Sequence, residues 1–294
     1  MKKGTIRARA YGKINLFLGV GPVREDGYHQ LETIFQAVDL AEDITITPAA
    51  ELSLEITGRH ANLVPTDDSN LVIKTYKRFN EYLAEIAHAP LPPLAITINK
   101  QVPVAGGMAG GSADAAAMLM ALNALLDNFL SRAELLHIGS SLGADIPFCL
   151  IGGTARGTGR GDELVSVLAK PTTWVIALSH KHLSTPEVFK TYDRLQLPST
   201  ALPDSIYQAL AKGHPQTLAK QLHNDLQPAA LSLLPELKKA FQTTALASIV
   251  SGSGPTVAAL CMDHYHADLV AEELMAENIP SLVVASETRG AHLI

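Results

Sequence analysis

The sequence predicts an α+β protein in two parts, and three observations carry that prediction. The chain reads as strands from its start through Ile56, with alternating or continuously apolar runs between Gly, Pro and Asp clusters. Helix signals then bracket the middle, with Asn70 placed as an N-cap and Ser131-Arg-Ala-Glu134 as a capping box. Strand patterns return at 248–250, 256–262 and 281–286, around a helix at 267–275.

Taken in order, residues 5–10 alternate, residues 14–20 are apolar, and strands at 32–38, 43–47 and 52–56 follow. Asn70 precedes Leu71, Ile73, Tyr76, Phe79, Leu83 and Ile86 at near-helical spacing, so a helix starts there. Residues 94–100 (LAITINK) alternate as a strand and feed a glycine-rich stretch that opens a helix over 112–126. The capping box starts a second helix that runs to Leu142. Between 145 and 178 the pattern reads as strands, with a glycine-rich bend at 157–161. Thr185-Pro186-Glu187 supplies an N-cap, a proline at the first helical position and an early acid, which together start a further helix. Two or three helices fill 205–241. The boundary falls around 155–165, giving domains over 1–160 and 161–294.

Of 294 residues, 47% are hydrophobic and 18% charged, which supports a large core and excludes a disordered chain. The net charge of −6 provides no general field for nucleic acid, so an anionic ligand needs a local basic or amide-lined site. Cys149 and Cys261 show neither CxxC nor zinc spacing, as expected of buried thiols in a reducing compartment. The basic start lacks a signal peptide's apolar core, and no apolar run reaches the ~18–20 residues of a membrane span. The expectation is a cytoplasmic protein without membrane or nucleic-acid partners.

The stretch Pro103-Val104-Ala105-Gly106-Gly107-Met108-Ala109-Gly110-Gly111-Ser112-Ala113 sets flexible residues directly before a strong helix former. On its residues alone it admits two readings. Gly110 and Gly111 can form a simple turn with Ser112 or Asp114 capping the helix. Alternatively, the helix start, with its bare N–H groups and about half a positive charge, holds a phosphate. In that case the glycines let the backbone approach the ligand, and the Ser112 hydroxyl reaches a phosphate or its magnesium. A Walker A loop is excluded because Ser112-Ala113, not Lys-Ser/Thr, follows Gly111, and no G-x-G-x-x-G occurs.

The loop resembles the second motif of the GHMP kinases, the galactokinase, homoserine, mevalonate and phosphomevalonate kinase superfamily. Ala10-Tyr-Gly-Lys-Ile-Asn-Leu-Phe-Leu18 resembles its first motif and Ser251-Gly-Ser-Gly-Pro-Thr256 its third, in the right order across the chain. Within the superfamily, Lys13-Ile-Asn15-Leu, Asp26-Gly-Tyr-His29 and Gly143-Ala-Asp-Ile-Pro147 resemble the members acting on a cytidine diphosphate-linked methylerythritol. Small departures are Gly12 for a common alanine, Ala105 and Ala109 for glycines, and Ala113 for a serine. The resemblance implies an N-terminal domain like ribosomal protein S5 domain 2 and a ferredoxin-like C-terminal domain, with ATP on the glycine loop between them. It implies ATP and Mg2+ as cofactors, and transfer of the γ-phosphate to the 2-hydroxyl of the methylerythritol unit.

The resemblance also assigns roles. Asp145 takes the hydroxyl proton, and Lys13 beside it stabilises charge on the alkoxide. Read without the motif, Asp145 is a turn residue before Ile146-Pro147 and Lys13 a solvated strand-end lysine. Asn15 bonds the erythritol hydroxyls. Tyr28 and His29 meet the cytosine ring, one by stacking and one by hydrogen bonding. Phe189 covers the other face with Thr185 a turn before it, although Phe189 also reads as ordinary core. Asp114 reads as a first-turn acid interacting with the helix dipole. Other GHMP small-molecule kinases, a non-catalytic nucleotide sensor and a structural module remain as alternatives. Asp26-Gly-Tyr-His29 speaks against the first, and Lys13 with Asp145 against the second.

Overall fold

In the computed structural model, which describes residues 4–104 and 106–294, the N-terminal strands are longer and fewer than their pattern suggests. The runs at 5–10 and 14–20 form one strand, β1 (Ile6–Val23), and those at 32–38 and 43–47 form another, β2 (His29–Pro48). The breakers fail to break because they bulge. Register shifts between Tyr11 and Lys13, Asn15 and Phe17, and Val20 and Val23 bend the antiparallel pair without ending it. The charges at 42–43 are likewise absorbed by pairing, with Asp43 accepting two bonds from Arg9 at 2.6 and 2.8 Å.

Around this pair, β3 (Ser53–Thr57) runs parallel to β4 (Leu94–Asn99), which pairs with β2. Strands β5 (Thr154–Thr158) and β6 (Glu163–Ser166) extend the sheet from β2. The second sheet is antiparallel, built from β7 (Thr173–Ala177), β9 (Ala247–Val250), β10 (Val257–Cys261) and β11 (Ser281–Ala285), in the order β11-β7-β10-β9. Two short strands, β8 (His223–Asn224) and β12 (His292–Leu293), return to β1.

The helices follow their local signals closely. α1 (Leu71–Glu85) is capped by Asn70 Oδ1 accepting from Val72 N at 2.8 Å, and α3 (Arg132–Leu142) carries the full capping box. α2 begins at the glycines (Gly110–Leu125) and is almost wholly buried. The strand expectation after Asp145 is corrected: a short helix, α4 (Ile146–Ile151), comes first, because Pro147 fits a helix's first turn. α5 (Thr185–Leu195) starts one residue earlier than expected, with Ser184 at the N-cap position. Residues 205–241 hold α6 (Ser205–Lys212), α7 (Pro215–Ala219), α8 (Gln227–Leu233) and a 3₁₀ turn over Pro235–Phe241, and α9 (His264–Ala276) lies on the second sheet.

β1 is buried without a break from Ala10 to Val20 because it serves two cores. Ala8 and Ala10 pack with α1, α2 and β4, whereas Ile14, Leu16 and Phe17 pack with Trp174, Ile176, Ile249 and Leu260 of the second sheet. Lys13 and Asn15 therefore stand on a strand clamped from both sides, which fixes their position. Among the described residues no helix is long and apolar enough to cross a membrane. Both cysteines are free and buried.

Candidate active site

The glycine loop sits between two cavities. A cavity of about 370 Å3 lies on its outer side, lined by Pro103, Val104, Gly106, Gly107 and Ala109–Ser112, with Leu63–Pro65, Asn70 and Leu71 opposite. A second, of about 180 Å3, is lined by Lys13, Asn15, Asp145, Arg160, Thr185 and Phe189, among others. Gly107 and Ala109 line both, so the loop is the wall the two cavities share. Of the expected loop residues, Met108 is fully buried behind this wall and Ala113 is buried in the first turn of α2. Ala105 lies outside the described residues.

The loop's shape follows from its residues. Ala109 takes the left-handed conformation (φ 58°, ψ 33°) at the N-cap position of α2. It offers no capping side chain, so the first N–H groups of α2 keep no side-chain partner. Gly107 also has positive φ (74°), and a Cβ there would sit 2.2 Å from the Ser251 carbonyl. The third motif, Ser251–Thr256, is thus the bed on which the loop lies. Ser251 Oγ donates to Gly107 O at 3.0 Å, and Asn224 Nδ2 holds the bed by donating to Val250 O and Gly252 O at 2.7 and 2.8 Å.

Lys13 reaches the loop from the strand. Its backbone N–H, freed at the Tyr11/Lys13 register shift, donates to Met108 O at 3.0 Å. Its ammonium donates to Gly107 O (3.0 Å) and Asn15 Oδ1 (2.8 Å), lies over the Phe35 ring at 5.4 Å, and stands 3.8 Å from Asp145 Oδ2. At 4% exposure this lysine is not the solvated strand-end residue of the structural reading. Asp145 occupies the N-cap position of α4, yet its side chain makes no capping bond. Its carboxylate therefore remains available to whatever enters the cavity.

The other expected substrate residues divide. Asn15 lines the cavity with its amide engaged on both ends, accepting from Lys13 and donating to Thr33 Oγ1 at 2.8 Å. Thr185 lines it too, its hydroxyl paired with Ser253 Oγ at 2.8 Å instead of capping α5. Phe189 lines it and packs on the cluster containing Val188 and Tyr192. His29 stands behind Phe189, stacked at 5.3 Å, with Nδ1 2.8 Å from Gly21 O and Nε2 3.2 Å from Asp193 Oδ1. Tyr28 is 59% exposed at the rim, its ring 5.6 Å from the Arg160 guanidinium.

Two features escaped the sequence reading. Arg160 brings a cation into the second cavity from the bend at 157–161, and the available signal was a basic residue set among glycines. The other is a buried charge triad. Lys100 Nζ donates to Glu42 Oε1 at 2.7 Å and to Asp114 Oδ2 at 2.6 Å, and all three side chains are at most 5% exposed. This corrects the reading of Asp114 as a first-turn, dipole-facing acid, because it lies beyond the first turn and the Lys100 ammonium, just after β4, takes up its charge. Burial and then the Asp114 charge push Glu42 up, with Lys100 opposing, and burial raises Asp114 against the pull of Lys100. Burial pulls Lys100 down, but the two carboxylates more than offset this.

Two cavities meeting at one glycine loop, with a lysine and an aspartate in the second, make a site that can hold two ligands side by side, and comparisons with known proteins give its family. Residues 70–153 match the GHMP kinases N terminal domain and residues 206–280 match GHMP kinases C terminal. The chain belongs to the GHMP kinases and is a small-molecule kinase. It is 46% identical to the 4-diphosphocytidyl-2-C-methyl-D-erythritol kinase of Corynebacterium efficiens, covering 98% of both chains. With the Mycolicibacterium smegmatis protein of that name it shares 45% identity, over 99% of this chain and 93% of the relative. A crystal structure of 4-(cytidine 5'-diphospho)-2C-methyl-D-erythritol kinase superposes with a TM-score of 0.78 at 29% identity, covering 96% of this chain and 99% of the other. A homoserine kinase from Cytophaga hutchinsonii shares the fold at TM-score 0.72 and 21% identity, covering 100% and 98%.

Proposed function

We propose that this protein transfers the γ-phosphoryl group of ATP to the 2-hydroxyl of 4-(cytidine 5'-diphospho)-2-C-methyl-D-erythritol, a step of non-mevalonate isoprenoid precursor biosynthesis. The observation that carries the reading is the shared wall. A nucleotide seated in the outer cavity meets the second cavity across Gly107 and Ala109, where Lys13 and Asp145 stand. Relatives of 44–48% identity carrying the name of that kinase support the choice of acceptor.

The α2 N-terminus and loop amides hold the phosphates, since a helix start favours anions and glycines let the backbone close on them. The acceptor oxygen forms its bond to the γ-phosphorus as the bond to the ADP oxygen breaks, and the hydroxyl proton passes to the Asp145 carboxylate. The buried Lys13 ammonium offsets charge on the attacking oxygen, held in place by Asn15 and Gly107 O. Arg160 faces the substrate diphosphate, for which a guanidinium fork is suited. Phe189, backed by His29, gives the cytosine ring a flat aromatic surface.

Magnesium fits this donor set as the nucleotide's companion. No group of three His, Cys, Asp or Glu side chains gathers as a metal cage among the described residues. The loop's one side-chain oxygen is that of Ser112. Magnesium is commonly held by few protein groups plus substrate phosphates, and it neutralises phosphate charge. A coupled assay of ADP release decides the substrate. Release with the cytidine diphosphate substrate and none with homoserine or mevalonate is the expected result, and equal rates with the unsubstituted alcohols overturn the assignment.

A further inference from the structure

We propose that Lys100, held between Glu42 and Asp114, is a positioning residue that ties the two stems of the glycine loop into one rigid anion-binding unit. The inference rests on the reading of that loop as the nucleotide site. Lys100 directly follows β4, on the stem leading into the loop, and Asp114 is the fifth residue of α2, the stem leading out. Their bond, 2.6 Å between buried groups, closes the loop at its base. Glu42 completes the clamp from β2. Its Oε1 also accepts from Val102 N at 3.1 Å and its Oε2 from Gln101 N at 2.9 Å, so one carboxylate fixes both the ammonium and the backbone of the incoming stem.

Two further observations place this bridge under the phosphate cradle itself. Lys100 and Asp114 both line the outer cavity, beside the Gly110 and Gly111 amides. A Cβ at Gly110 would lie 3.0 Å from Lys100 Nζ, so the ammonium passes as close beneath the helix start as a glycine permits. Asp114 Oδ1 has no hydrogen-bond partner among the described residues, which leaves the link between α2 and Lys100 to the single bond accepted by Oδ2. Three buried charged groups are a costly way to pack a core, and apolar residues of similar volume are often at least as stable. Their arrangement instead fixes geometry. The loop is joined across 14 residues by Lys100–Asp114 and tied across 58 to β2 by Lys100–Glu42.

The test is steady-state kinetics on the full-length protein, varying ATP and the cytidine diphosphate alcohol separately. Asp114→Leu cuts the bridge, and the expected result is an ATP KM raised about ten- to a hundredfold with the alcohol KM unchanged, the scale of ångström-level misplacement. Asp114→Asn keeps an oxygen for Lys100 and is expected to recover most of the loss. Because Asp114→Leu leaves Lys100 with a single carboxylate and can unfold the chain, Glu42→Gln/Lys100→Met/Asp114→Leu, which removes all three charges, is the second route. An unchanged ATP KM in whichever of these variants folds, with only the melting temperature lowered, overturns the inference. Gly107→Ala separates this from the underlying reading. If it leaves ATP KM unchanged, the loop is not the nucleotide site and the proposed function falls. If it raises ATP KM while the bridge variants do not, only the positioning role falls.

Discussion

Replacing Asp145 with asparagine lowers kcat by about 10²–10⁴-fold, the usual contribution of general-base help, and leaves the fold intact. The amide matches the carboxylate in shape and still meets Lys13, but it takes no proton at neutral pH. The competing view of Asp145, as a turn former ahead of Pro147, predicts the opposite outcome. A capping or turn residue is felt in the melting temperature and not in kcat, and a lost N-cap costs about 0.5–2 kcal/mol. The geometry favours catalysis, because the side chain stands at a helix N-cap without capping it and points instead to an ammonium 3.8 Å away. ADP release at saturating ATP and alcohol, alongside a thermal melt, reads both quantities. Wild-type kcat with a lowered melting temperature would return Asp145 to the structural class.

Gly107→Ala abolishes nucleotide binding at the loop. The reason is steric and leaves little room for relaxation, since both obstacles are backbone. At φ 74° the added Cβ meets Ser251 O at 2.2 Å and Gly254 N at 3.3 Å. The loop must lift from its bed, and the Gly107 carbonyl then leaves both Lys13 Nζ and Ser251 Oγ. A ligand at a hundredfold excess over Kd stabilises a protein by about 2.7 kcal/mol, and this increment is expected in the wild type and missing in the variant. Differential scanning fluorimetry with and without ATP measures it. A variant that keeps the full ATP-dependent rise would show that the nucleotide contacts something other than this loop.

Much of the fold was legible wherever the signal is local. Asn70, the Ser131–Glu134 box and the alternation over Leu94–Asn99 each specify an element within a few residues, and each stands as expected. What could not be read depends on partners distant in sequence. Gly12 and Glu42 fall in gaps between the strand patterns, and those gaps close only when Lys13 N–H finds Met108 O and Lys100 finds Glu42. The helical turn after Asp145 was missed because Pro147 reads equally as a breaker and as a first-turn residue.

The site divides in the same way. Lys13, Asn15, Asp145, Thr185 and Phe189 were named from motifs far apart in the chain, and the fold gathers all five on one cavity. His29 carries no such guarantee, because its two ring nitrogens face Gly21 O and Asp193 and its part is to back Phe189. Arg160 and the Lys100 bridge had no motif, and only tertiary packing reveals them.

The most direct measurement is a crystal structure with a non-hydrolysable ATP analogue and the cytidine diphosphate alcohol bound together. The expected density places the β- and γ-phosphates on the amides of Gly110–Ser112, with the 2-hydroxyl between the γ-phosphorus and Asp145. Phosphates bound away from the loop, or an acceptor hydroxyl beyond reach of both Lys13 and Asp145, would contradict it.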